Sequence, residues 1–76
     1  MIAMELSGVH VGRKLAVTYR FPSWPKSRQD AKKIIPAKQF AGVEHRATGR
    51  VSINNQYGDN ILTVPFDATV EFEDDK

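Results

Sequence analysis

The chain has no cysteine in its 76 residues. That excludes a disulfide staple, a thiolate nucleophile and a cysteine-based zinc site, and it fits a reducing compartment. A cytoplasmic location is expected. No stretch reaches the roughly 18 apolar residues of a membrane-spanning helix, and no basic segment leads into an apolar run at the N-terminus. A soluble protein with no membrane partner is therefore expected. The length leaves no room for a second core, since a domain of this size buries only about 60% of the surface its unfolded chain exposes.

Catalytic signatures are also missing. There is no phosphate-binding glycine loop, no Gly-x-Ser-x-Gly elbow and no His-Glu-x-x-His. Gly8-Val9-His10-Val11-Gly12 has two glycines, but it lacks the helix and following acid of a dinucleotide site and reads as two bends around an extended segment. His10 and His45 are the only imidazoles. Joined by Glu5 or Glu44 they could be drawn into a metal site, yet catalytic zinc usually takes three protein ligands, and two strand histidines are the plainer reading. A non-enzymatic protein without cofactor or metal is expected.

Charge is present but unevenly spread. The net charge is +2; residues 1–50 hold ten basic side chains against Glu5, Asp30 and Glu44, or +7, and residues 51–76 hold Lys76 against six acids, or −5. This asymmetry points either to a partner rich in negative charge or to the two halves neutralising each other in the fold.

Apolar periodicity reads mostly as strand. Ile2, Met4 and Leu6 alternate with Ala3, Glu5 and Ser7, and the parity switches after Gly8 to Val9 and Val11, as at a bulge or bend. Leu15, Val17, Tyr19 and Phe21 alternate cleanly with Lys14, Ala16, Thr18 and Arg20. Val43, Val51 and Ile53 share a parity with His45, Ala47 and Gly49, which predicts a long run bending at Gly49. Residues 54–59 are a turn cluster. Leu62, Val64, Phe66, Ala68, Val70 and Phe72 form the longest alternation, and Pro65 marks an edge or a break into two short strands.

Residues 20–40 break this pattern. They hold three of the four prolines, the single tryptophan and six of the eleven Lys and Arg residues. Pro22 and Pro25 keep the chain extended around Trp24. Ser27 offers an N-cap with Asp30 three residues later, and Ala31, Ile34 and Ile35 make a short i, i+3, i+4 stripe, so a helix of at most two turns is expected before Pro36. A helix that short needs docking to exist.

Four to six short strands with glycine bends and one short helical insert predict a mostly β fold, a small curved antiparallel barrel. On strand count and turn spacing it is similar in architecture to SH3-like and Sm-like barrels. One domain is expected over residues 1–73, with the basic insert at 22–39 and an acidic tail at 74–76.

The insert is the candidate working surface. Trp24, Lys26, Arg28, Lys32, Lys33 and Lys38, with Arg46, Arg50, Arg13, Lys14 and Arg20 as further cations, could neutralise phosphates of a nucleic acid, DNA or RNA, and Trp24 and Tyr57 could stack on unpaired bases. The plainer reading is that Trp24 folds back to cap the barrel and the lysines keep a loop soluble. A second functional reading is a protein-interaction module, an adaptor or inhibitor gripping an acidic protein surface through Trp24 and Arg28, or a self-associating homo-oligomer.

Overall fold

Strict alternation from Lys14 onward makes β1, Leu15–Tyr19, whose Leu15 and Val17 side chains are fully buried. In the computed structural model, which describes residues 1–73, β1 is the centre of a three-stranded antiparallel sheet. β2, Ala31–Ile35, lies on one side of it and β6, Thr69–Phe72, on the other. β3, Gly42–Arg46, β4, Arg50–Asn54, and β5, Asn60–Pro65, form a second antiparallel sheet as a meander. The expected mostly β fold is correct. No strand pairing closes the two sheets into one barrel among the described residues. The acidic tail expected at 74–76 lies outside the described residues.

Both sheets contribute to one apolar cluster, with Leu15, Val17, Ile35 and Val70 from the first and Val51, Ile53 and Val64 from the second. Phe40 is 1% exposed and is the largest of the fully buried side chains. It sits between the two sheets' strands in sequence, just after a 3₁₀ turn at Ala37–Gln39, and its carbonyl accepts the Gly12 N–H at 3.0 Å.

The short helix expected in the insert does not form. Residues 31–35 are strand β2, in register with β1 from Leu15 opposite Ile35 to Tyr19 opposite Ala31. Ala31, Ile34 and Ile35 fit both periods, but two turns of isolated helix are marginal in water, whereas the strand completes β1's ladder and buries Ile35. Ile34 is left 49% exposed on the opposite face. β2 is an edge strand, and Lys33 lies on the core-side face across from Val17. Its side chain is nonetheless exposed, and a charge on an edge strand discourages a further strand from pairing.

The expected N-terminal strand is also replaced. Ala3–Glu5 and Gly8–His10 are 3₁₀ turns, so the buried positions are Ala3 and Leu6, three apart, and Met4 faces out at 51% exposure. The segment is held to the far edge of β6 by backbone bonds, Ala3 N–H to Ala68 O at 2.8 Å and Val70 N–H to Met1 O at 2.7 Å. The bend expected at Gly49 is instead a hairpin turn between β3 and β4, closed by Gly49 N–H to Arg46 O at 3.1 Å. Gly49 has φ +83°, the left-handed conformation that three-residue hairpin loops require at their last position. The long C-terminal alternation does break after Pro65, into β5 and β6.

Phe40→Ala should cost about 3–5 kcal/mol, the range for emptying a large aromatic site. A chain of this length has only about 4–11 kcal/mol to lose. Urea unfolding should therefore show a midpoint displaced towards zero; a loss under about 1 kcal/mol would mean that Phe40 does not join the two sheets.

Candidate functional site

The β1–β2 connection, residues 20–30, is shaped by one side chain. Arg20 Nη2 donates to Pro25 O at 2.8 Å, and Nη1 donates to Arg28 O and to Asp30 Oδ1, the latter at 3.3 Å. Two backbone turns, Trp24 N–H to Phe21 O and Arg28 N–H to Pro25 O, both at 3.0 Å, fold the segment between these anchors. Pro22 and Pro25 remove backbone donors and limit the unfolded loop's freedom, which lowers the entropy lost in closing it.

The closed loop gathers three rings. Tyr19, Phe21 and Trp24 contact one another pairwise with centroids 5.5–5.9 Å apart, in tilted and edge-to-face arrangements. All three are half-buried. The Arg28 guanidinium lies over the Trp24 ring at 3.6 Å and that of Arg50 over Phe21 at 5.0 Å. A guanidinium over a ring keeps N–H donors available for bidentate contact with phosphate or carboxylate. Neither guanidinium has a hydrogen bond or ion pair to another described residue, and the same holds for the Lys26 ammonium.

A pocket of about 440 Å³ opens beside these rings. Tyr19, Phe21, Trp24 and Lys26 line it from the β1–β2 side, and Asp67, Ala68 and Thr69 from the β5–β6 side. β2 and β6 flank β1, so the cavity sits at the end of the central strand with one connection on each side. Asp30 also lines it, but its carboxylate is paired with Arg20.

The structure thus brings together Trp24, Lys26, Arg28 and Arg50. Lys32 and Lys33 continue from the loop along the exposed edge strand. Arg46 is Arg50's cross-strand neighbour, yet it is committed elsewhere: Nε donates to Ser52 Oγ at 2.7 Å, and Nη2 is 3.6 Å from Glu44. Ser52, fully buried, passes this network to Thr63 Oγ1 at 2.9 Å. Lys38 follows the far end of β2, and Tyr57, 79% exposed, tops the β4–β5 turn at the end of β4 away from Arg50. Neither joins the cluster. Tyr19, Phe21, Asp67 and Thr69 are pocket residues that sequence reasoning passed over, although Tyr19, Phe21 and Trp24 place three of seven aromatics within six positions.

The two histidines have separate structural partners. His45 Nε2 lies 2.8 Å from Leu6 O, and because a carbonyl only accepts, this nitrogen carries the proton. His10 Nδ1 accepts the Ser7 N–H at 3.1 Å and its ring stacks on Phe72. Among the described residues no three His, Asp or Glu side chains are placed to hold a metal ion, and no helix is long and apolar enough to cross a membrane. In comparisons with known proteins, the chain matches no family model, no curated protein and no solved structure.

Arg20→Ala should release the loop while leaving the sheets intact. The side chain is 32% exposed, so a stability loss of only about 1 kcal/mol is expected. Trp24 fluorescence should move to longer wavelength as the indole gains water; an unshifted emission would show that ring packing alone holds the loop.

Proposed function

We propose that this chain is a non-catalytic module that binds single-stranded nucleic acid at the β1–β2 loop. The observation that carries this reading is the pair of guanidinium groups over the Trp24 and Phe21 rings, without a hydrogen-bond or ion-pair partner among the described residues, where those two rings line a pocket. Stacked rings accept any base, and guanidinium edges with Lys26 accept the phosphates that connect bases. Lys32 and Lys33 extend the positive track along the edge of β2. Lys38, Arg46 and Tyr57 play no first-hand part in it.

The strand order supports kinship with small curved barrels. If β2 and β3 are two halves of one strand interrupted at 36–41, the order becomes β6, β1, β2/β3, β4, β5, the arrangement we propose as SH3-like or Sm-like. A cytoplasmic setting suits a chain without cysteine.

The test follows Trp24 fluorescence during titration with short single-stranded and double-stranded DNA and RNA at several salt concentrations. Wild-type binding should weaken steeply with salt, each phosphate contact contributing about −0.7 to the logarithmic slope for single strands. Arg28→Glu, and separately Lys32→Glu with Lys33→Glu, should lower affinity about tenfold or more and flatten that slope by about 0.7 per lost contact. Binding that stays unchanged in both variants would refute the proposal.

A protein partner is the second reading, favoured by one observation: Met4 and Phe66, 51% and 47% exposed, adjoin through the Met4 N–H to Phe66 O bond at 2.9 Å. Sedimentation at rising salt separates the cases. An assembly held by charge should dissociate, one held by this apolar pair should persist, and a monomer at every salt concentration removes self-association.

A further inference from the structure

The pocket carries one acid whose charge nothing in the described residues balances. Of its two carboxylates, Asp30 is held by Arg20, whereas Asp67 has no hydrogen bond or ion pair to any described residue. Asp67 is an exposed residue of the β5–β6 connection and lines the same pocket as Trp24 and Lys26. A free anion facing a basic, aromatic loop weakens phosphate binding unless it serves another contact.

We infer that Asp67 makes the pocket selective for guanine, an inference that rests on the nucleic-acid reading above. An ionised carboxylate only accepts hydrogen bonds, through two oxygens side by side. Among the four bases, guanine alone presents two adjacent donors, N1–H and the N2 amino group, on its Watson–Crick edge, and so pairs with both oxygens. Thymine and uracil offer one N–H between two carbonyls, which a carboxylate repels. Cytosine and adenine offer an amino group beside a ring nitrogen that is itself an acceptor. A guanine held among the rings that line the pocket and turning that edge to Asp67 would leave Lys26 and Arg28 to the flanking phosphates. Sequence-specific recognition of single strands reads the edges of unpaired bases in this way. The cavity's volume is within the range of small-ligand sites.

The experiment measures fluorescence anisotropy of end-labelled decathymidine and of the same decamer with one central guanine, adenine or cytosine, at fixed low salt. The wild-type chain should bind the guanine decamer about tenfold more tightly than the other three, the discrimination expected of one good bidentate contact. In Asp67→Asn, whose amide offers one acceptor and one donor, all four decamers should bind within about twofold of one another. Lys26→Gln should weaken all four and keep the guanine preference. Wild-type binding without base preference, or a preference that survives Asp67→Asn, would overturn the inference and leave the nucleic-acid reading standing. Absence of binding to every decamer would overturn both.

Discussion

Arg20 is the side chain on which the candidate site depends. It leaves the end of β1, reaches across the connection and holds three acceptors: the carbonyls of Pro25 and Arg28 and the Asp30 carboxylate. Each bond joins the central strand's exit to a different point of an 11-residue excursion, residues 20–30. Without that clamp the excursion would have only two local turns and ring packing to define it. With it, Trp24 and Arg28 have fixed positions relative to Tyr19, and Arg28's own side chain is free because its carbonyl, not its guanidinium, is used by the clamp. A cation spent inside the fold is what allows another to face outward.

The sheets supply the rest of the geometry. β1 is flanked by β2 and β6, so the chain segments that precede those two strands, 20–30 and 66–68, meet at one end of the sheet. The second sheet adds Arg50 at the start of β4, beside the Gly49 turn, and this places its guanidinium over Phe21. Phe21 and Asp67, far apart in the chain, thus line one cavity, and Arg50 reaches the outer ring of that cluster from the other sheet.

The parts legible in the sequence are those where one period dominates. The β1 alternation, the 54–59 turn and the break at Pro65 all follow from local chemistry; Asn55 Oδ1 accepts the Tyr57 and Asp59 N–H groups, both at 2.9 Å, as an Asx-rich turn should. The insert reads equally as helix or strand, because Ala31, Ile34 and Ile35 satisfy a helical stripe while Ala31, Lys33 and Ile35 satisfy a strand face. Only the partner strand decides between them. At the N-terminus the period-2 pattern of Ile2, Met4 and Leu6 yields to burial of Ala3 and Leu6, since Ala3 is small enough to sit against Ala68 at the rim of β6. Trp24, Lys26, Arg28 and Arg50 could be named from type alone. Asp67 could not, because its place in the same pocket as Trp24 is created by the pairing of β1 with β6.

Charge distribution settles into the same picture. The ion pairs Arg20–Asp30 and Arg46–Glu44 each join two residues of the basic half, so they consume that half's few acids without drawing on the acids of residues 51–76. Lys26, Arg28, Lys32, Lys33 and Arg50 have no ion pair to any described residue. An unbalanced Asp67 is costly to any ligand that is phosphate alone. Under the reading proposed above, it is favourable only to a ligand that brings donors as well as phosphates, as a nucleotide within a strand does.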